Sequence, residues 1–326
     1  MGITYIALFP FDILVRDAEV PPHLVSADEP TIRAYWPHWN EESRGRVLTM
    51  VRAATIPAVP GTQFFLVPPL DLRLEVQPTQ DARFANAMRL DFSDDAATVE
   101  QATLVVQRIL RHVRVSTGQW WIGHAHHDGE GLIRAGYKID SSGTLASRDC
   151  VVGMEVETRL GTERVLEPSA FSEACAATAV GTEPPAHWDS FHDAVYFSIH
   201  RNDLRRALLD ACIACDMAVL HEALRAGRAA GKPERAVRRA LSDRDLLKNL
   251  RQGLASLFGP HADFSRAQPA DYELIRQLWA ARGLIAHGQI PTVGTGSRAQ
   301  LPSRAAAAVM IEAVQRVIRQ LERLPG

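Results

Sequence analysis

Cysteine is scarce in this chain of 326 residues, which contains four, at positions 150, 175, 212 and 215. So few cysteines exclude a disulfide framework and fit a reducing compartment. No apolar run approaches the roughly 20 residues that a membrane-spanning helix needs. The first residues lack the positive segment and small-residue cleavage site of a signal peptide. We therefore expect a cytoplasmic protein with no membrane partner.

Charge is unevenly distributed, although the net charge is only −2. Residues 201–326 hold 20 Lys and Arg against 12 Asp and Glu, a net charge of +8. The first 200 residues hold 16 against 26, a net charge of −10. A basic part beside an acidic part suggests that the basic part meets an anion such as a nucleic acid. Docking between the two parts, or one solvated basic face, would give the same pattern.

The first part of the chain predicts a mixed α+β domain over residues 1–187. Segments rich in β-branched and aromatic residues, separated by Pro and Gly, are typical of strands. We expect strands at ITYIALF, FDILVR, RVLTMVRAAT, QFFLVPP, LRLEVQ, TGQWWIG, GLIRAGYKI and CVVGMEVET. One helix is expected over residues 97–115. Residues 160–187, rich in Ala, Thr, Glu and Pro, are expected to connect this domain to the next.

The second part, residues 188–326, predicts an all-α domain. A long helix is expected from residue 200 to near Gly227 or Gly231, followed by one or two helices over residues 233–260. Another should run from Pro269 to Gly288, and the last should begin near Ser303. Amphipathic helices joined by short loops form an up-down bundle.

The helix that stops at Gly288 carries an arginine on its apolar face. Ile275, Leu278 and Trp279 mark that face at helical spacing, and Arg282 follows them on it. An unpaired buried guanidinium costs several kcal/mol or more, so Arg282 must have a partner, reach water, or face a site or an interface. His287 falls in the last turn, beside carbonyls that favour its protonated form.

This segment, RGLIAHG, resembles the R-x(4–6)-H motif of the HEPN family, which is often written R-N-x-x-A-H-G. The resemblance covers about residues 195–326, so the predicted α+β domain would be followed by an up-down HEPN-like helical bundle. It further implies a metal-independent endoribonuclease that needs no cofactor. His287 would act as general acid or base toward the RNA 2′-hydroxyl, and Arg282 would bind the scissile phosphate. Cleavage would leave a 2′,3′-cyclic phosphate.

Members of this family usually dimerise through the bundle, which brings two such motifs into one cleft. The resemblance therefore implies a homodimer that acts on RNA in prokaryotic defence or in a toxin-like system, where an antitoxin or a regulatory protein is a possible partner. The first 187 residues would then sense a trigger or restrain the activity. Asp216, on the long helix, stands where relatives often carry an acidic residue. It would hold Arg282 or His287 in place; a solvated charge is the alternative.

Gly283 departs from the family pattern, in which a polar residue commonly follows the arginine. Loss of that side chain puts catalysis in doubt more than the fold, so a non-catalytic HEPN scaffold that binds RNA or a protein is the alternative function. A weaker alternative is a metal-dependent hydrolase that uses His124, His126 and Asp128, because these residues match the H-x-H-x-D ligand pattern of metallo-β-lactamase-like enzymes. A polar turn with surface histidines explains the same residues.

The Cys212-x-x-Cys215 pair has no second pair with which to form a zinc ribbon, and it lies in the middle of a predicted helix. We expect these small residues to let helices approach closely.

Overall fold

A computed structural model describes residues 3–26, 30–38, 81–94, 96–120, 122, 135–139, 145–150, 165–199, 202–241, 245–288 and 302–325. The chain divides into two compact units, residues 1–184 and 185–326. The first contains a sheet and the second is helical, which confirms the predicted α+β class. The predicted boundary at residue 187 falls within the first turn of a helix of the second unit.

Six strands of the first unit form one antiparallel sheet in the order β2-β3-β4-β1-β5-β6. They are β1 (Ile3–Arg16), β2 (His23–Ser26), β3 (Ile32–Ala34), β4 (Ala82–Phe92), β5 (Ala135–Ile139) and β6 (Leu145–Cys150). In the described part of this unit, two helices accompany the sheet, α1 (Val99–Thr117) and α2 (Pro168–Ala179). The predictions at RVLTMVRAAT, QFFLVPP, LRLEVQ and, beyond Cys150, CVVGMEVET lie outside the described residues.

The first two predicted strands are in fact one. In β1 the residues Ile3, Tyr5, Ala7 and Phe9 are buried, as the period of two for a half-buried strand requires. The pairing with β4 shifts register between Leu8 and Ile13, which lets one strand continue through the Pro10 position that separated the two predictions.

The prediction of a strand at TGQWWIG was wrong. Helix α1 ends at Gly118, which takes the left-handed conformation with φ of 69°. The buried Gln119 side chain then accepts a hydrogen bond from the Leu14 N–H at 2.8 Å and donates one to the Leu14 carbonyl at 3.0 Å. An amide side chain thus pairs with the backbone of β1 where the prediction placed a neighbouring strand.

The strands β2, β3 and β4, most of β6 and the helix α2 went unpredicted, and for β4 and α2 packing outweighs local preference. The strand β4 is poor in β-branched residues, yet Ala85, Ala87 and Met88 are fully buried between its neighbours β3 and β1. The helix α2 lies within residues 160–187, where a connection was expected. Pro168 opens this helix, and its side chains Phe171 and Cys175 are buried.

The second unit consists of helices in its described part. The longer ones are α3 (Ala186–Ile199), α4 (Leu204–Ala229), α5 (Glu234–Ala240), α9 (Pro269–Ala286) and α10 (Arg304–Leu321). Short segments join α5 to α9: α6 (Leu246–Lys248), a π-helical turn (Asn249–Gly253), α7 (Leu254–Phe258), a 3-10 turn (Pro260–Ala262) and α8 (Phe264–Ala267). Helix α4 packs against α3, α9 and α10, so it is the centre of the bundle. None of the described helices is long and apolar enough to cross a membrane.

Candidate functional site at the end of helix α9

Helix α9 ends where the sequence predicted, with His287 as its C-terminal cap. The His287 N–H donates to the carbonyls of Gly283 at 3.3 Å and Leu284 at 3.2 Å. Gly288 follows with φ of 71°, a left-handed conformation that glycine adopts without strain, and its N–H donates to the Ile285 carbonyl at 2.9 Å. The cap therefore fixes the backbone of His287.

The side chain of Arg282 reaches solvent from the edge of the apolar face of α9. Ile275, Leu278 and Ala281 are fully buried in the bundle, whereas Arg282 is exposed. Its guanidinium carbon lies 5.0 Å from the centre of the Trp279 ring, a cation–π contact. The arginine on the apolar stripe therefore incurs no large burial cost, because its exposed guanidinium keeps contact with water while it lies over an aromatic ring.

Asp216, on the neighbouring helix α4, lies within the electrostatic reach of Arg282. Nearby protein atoms partly desolvate its carboxylate and raise its pKa above the ordinary value, although the side chain keeps solvent exposure; the positive charge of Arg282 opposes this rise. Neither residue forms a direct ion pair within the described part of the chain. The guanidinium is thus held near a carboxylate but is not neutralised by a bidentate bridge.

The imidazole of His287 is exposed, and it makes no hydrogen bond, ion pair or ring contact with the side chains that the structure describes. Five residues separate it from Arg282, about 7.5 Å along the axis and about 140° around the helix. The structure therefore brings Arg282 close to Asp216 and leaves His287 apart from both. Between them, a β-carbon added at Gly283 would meet no atom of the described residues within 4 Å.

A stripe of exposed apolar side chains borders Asp216 on α4, and sequence reasoning did not single it out. Ile213, Met217 and Leu220 are 38%, 38% and 37% exposed and stand at spacings of four and three. These residues lie off the buried face of α4. In the sequence, the signal for this surface is a second apolar stripe on α4, because one apolar stripe is enough to pack a helix on its core. We call Ile213, Met217 and Leu220 the α4 apolar stripe.

The Cys212–Cys215 pair lies on the buried face of α4, with side chains at most 1% exposed. Burial raises the pKa of the Cys212 thiol to about 12, while Arg282 works in the opposite direction. A thiol with so high a pKa is a poor nucleophile and a poor metal ligand. The prediction that these residues serve helix packing is confirmed.

A second set of ionisable groups lies where the start of α3 meets α4. His187 is 1% exposed, its Nε2 has no hydrogen-bond partner among the described residues, and its ring centre lies 5.2 Å from that of His221. The exposed His221 places Nδ1 2.9 Å from Oε1 of the buried Glu222. Burial lowers the pKa of His187 to about 4, helped by His221 and Arg319 and opposed by Glu222 and Asp189.

No group of three or more His, Cys, Asp or Glu side chains is arranged to hold a metal ion among the residues that the structure describes. The predicted alternative ligands His124, His126 and Asp128 lie outside those residues. The metal-dependent alternative therefore stays an untested prediction.

Comparison with protein-family models, with curated proteins and with solved structures finds no match to this chain. The HEPN resemblance of the Arg282–His287 segment therefore stays a prediction. The residues that bear on function lie at the end of α9 and on the face of α4 beside it.

Proposed function

We propose that the chain is a metal-independent endoribonuclease whose site lies at the end of α9. The observation that carries the proposal is the exposed Arg282 and His287 on one helical segment, with Asp216 of α4 close enough to act on the Arg282 charge. A guanidinium that is free of a direct ion pair can bind a phosphate through two parallel hydrogen bonds. An exposed histidine at the end of a helix can accept a proton from an RNA hydroxyl or return one to it.

The chemistry needs no metal because RNA carries its own nucleophile. His287 removes the proton of a 2′-hydroxyl, the 2′-oxygen forms a bond to the adjacent phosphorus, and the bond from phosphorus to the 5′-oxygen breaks. A proton goes to the leaving 5′-oxygen, so the products are a 2′,3′-cyclic phosphate and a 5′-hydroxyl. Arg282 stabilises the negative charge that builds on the phosphoryl oxygens during this exchange.

Cleavage of one phosphodiester bond uses a base at the 2′-oxygen and an acid at the 5′-oxygen. A single chain supplies only one His287, so a second chain would supply the second group. We therefore include a homodimer through the bundle, in which two sites face each other. The α4 apolar stripe supports this arrangement, because three partly exposed apolar side chains lie beside Asp216 and a second copy would cover them. The setting that accompanies the proposal, a defence or toxin-like system with a regulatory partner or antitoxin, rests on the family resemblance alone.

A second candidate is a non-catalytic bundle that binds RNA or a protein partner. Two observations favour it. Gly283 offers no side chain to orient Arg282 or a phosphate, and no described side chain orients the His287 ring. General bases are commonly held by a third group, so a histidine without one suits binding better than catalysis.

The test is cleavage of a mixed RNA pool by the full chain in EDTA, beside Arg282→Ala, His287→Ala and the control Arg276→Ala. Arg276 lies on the same helix, is exposed and pairs with Glu273 at 2.6 Å, so its loss removes the same charge outside the site. The proposal expects cyclic phosphate ends, a rate lower by roughly a hundredfold or more in both site variants, and no such loss in the control.

Three results would replace this proposal. RNA binding without cleavage by the wild-type chain would favour the non-catalytic bundle. Cleavage that EDTA abolishes and added Zn²⁺ restores would favour the metal-dependent alternative. Cleavage that persists in both site variants would place the active site elsewhere.

A further inference from the structure

The corner between α4 and α5 concentrates positive charge on the surface of the second unit. Residues 225–239 hold six basic side chains and one acidic side chain, Glu234. Glu234 neutralises Arg238 through a 2.7 Å contact, and Glu222, just before the corner, pairs with Arg225. Four basic side chains make no hydrogen bond or ion pair within the described part of the chain: Arg228, Lys232, Arg235 and Arg239. We call these four residues the basic corner.

Packing fixes the backbone of the basic corner. Gly231 turns the chain with φ of 68°, and the Lys232 N–H donates to the Gly227 carbonyl at 2.8 Å. A β-carbon at Gly227 would lie 2.6 Å from a methyl carbon of Val237, so this glycine lets α5 pack tightly on α4. Val237 is 1% exposed, so α5 packs against α4 through the face that carries Val237.

The charges stand on the other side of α5. Arg235 and Arg239 are four residues apart, so they share one face of the helix, and both are exposed. Arg228 is exposed at the end of α4, and Lys232 is half-buried in the turn. Like charges held together in this way repel one another, and a polyanion relieves that repulsion.

We infer that the basic corner is a binding surface for the phosphate backbone of RNA, separate from the site at the end of α9. The inference rests on the proposed function for its choice of RNA. Arg228 lies twelve residues beyond Asp216 on α4, about 18 Å along the helix axis. One strand can cover that distance, because single-strand-binding sites extend over roughly 4–16 nucleotides. The corner adds affinity without base readout, so its contribution is independent of RNA sequence.

The experiment measures binding of a labelled single-stranded RNA by fluorescence anisotropy, with the full chain in EDTA and in a His287→Ala background. The test variant is Arg235→Glu with Arg239→Glu. The matched control is Arg266→Glu with Arg276→Glu, which reverses two exposed arginines on α8 and α9 of the same unit. The affinity is followed across a salt series from about 50 to 200 mM.

We expect the corner variant to bind RNA about tenfold more weakly at low salt, and its log–log salt slope to fall by roughly 1.4, since about 0.7 is lost with each phosphate contact on a single strand. The control should change the affinity by less than about threefold, because nothing places Arg266 and Arg276 on the RNA path. Circular dichroism and the midpoint of thermal unfolding establish that both variants fold.

Equal effects of the two double variants would overturn the inference, because net charge alone would then explain the loss. Binding of the wild-type chain to phosphatidylserine vesicles but not to RNA would overturn it in favour of a lipid surface. Failure here is distinguishable from failure of the proposed nuclease. If the chain cleaves RNA but the corner variant leaves the salt slope of binding unchanged, the nuclease proposal stands and the binding surface does not. If the corner variant weakens binding but the chain does not cleave RNA, the binding surface stands and the nuclease proposal does not.

Discussion

The carboxylate of Asp216 and the guanidinium of Arg282 belong to different helices and act on each other's charge across the contact between α4 and α9. Desolvation raises the pKa of Asp216, and Arg282 opposes that rise. Because the two side chains form no direct ion pair, the carboxylate biases where the arginine lies without occupying its hydrogen-bond donors.

The first prediction concerns Asp216→Asn. If the carboxylate positions Arg282, the cleavage rate at saturating RNA should fall about fivefold, the equivalent of about 1 kcal/mol for an exposed charge pair. RNA affinity should hold or rise, because a negative charge is removed near the phosphate. The measurement separates kcat from KM. Glu312→Gln on α10 is the control, since it removes an exposed carboxylate outside the site. An unchanged kcat would mean that Asp216 is a solvated charge.

The second prediction concerns Gly283. A β-carbon there would meet nothing within 4 Å, and glycine within a helix costs roughly 1 kcal/mol relative to alanine. We expect Gly283→Ala to raise the free energy of unfolding by about that amount. We expect Gly283→Asn to raise the cleavage rate, because it supplies the polar group of the family pattern beside Arg282. Thermal unfolding and the RNA assay are the measurements.

Gly253→Ala is the matched control for this second prediction. A β-carbon at Gly253 would lie 2.6 Å from a Leu241 methyl carbon and 3.1 Å from the Ala240 carbonyl oxygen. We therefore expect this substitution to destabilise the bundle by about 1–3 kcal/mol. Equal effects of the two alanines would show that local packing does not govern either position.

The sequence predicted α4, α9 and α10 closely because each is amphipathic and carries capping residues. Ser303 caps α10 through its hydroxyl, which accepts from the Ala306 N–H at 3.1 Å, and Gly288 follows the end of α9. By contrast, β4 and α2 depend on burial between neighbours, which local preference does not encode.

Sequence reasoning likewise reached part of the candidate site and missed the rest. Helical spacing placed Arg282 on the apolar face and His287 at the helix end, so sequence reasoning reached both residues, while the exposure of Arg282 was one of several outcomes left open. The proximity of Arg282 to Asp216 depends on how α9 packs against α4, and the resemblance alone suggested Asp216. The α4 apolar stripe and the basic corner emerged only when the helices were placed, because burial and ion pairing decide which apolar and charged residues are left over.

The third prediction concerns the α4 apolar stripe. If a second copy covers it, Met217→Glu should place two like charges near the two-fold axis and weaken dimerisation by about 3 kcal/mol, more than a hundredfold in Kd. Sedimentation equilibrium measures the change. Leu104→Glu on α1 is the control, because Leu104 is 56% exposed and thus a larger apolar exposure than Met217 at 38%. A wild-type chain that is monomeric at all concentrations would remove the dimer from the proposed mechanism.

The fourth prediction concerns pH and His187. Burial lowers the pKa of His187 from 6.5 to about 4. A depressed pKa means that the unfolded chain binds the proton more tightly than the folded one. The contribution of His187 to the free energy of unfolding is therefore fully present above pH 6.5 and falls as the pH drops from 6.5 to about 4. Below about pH 4 it stays constant, after a total loss of about 3 kcal/mol.

Replacement of His187 by leucine tests that origin. His187→Leu removes the titrating group together with a buried Nε2 that lacks a hydrogen-bond partner, so stability near neutral pH should hold or rise. Between pH 6.5 and about 4 the loss should shrink by about 3 kcal/mol, measured by urea unfolding at each pH. His261→Gln is the control, because it removes an exposed histidine outside this buried cluster and is measured in the same way. If His187→Leu keeps the full acid loss, His187 is not its origin.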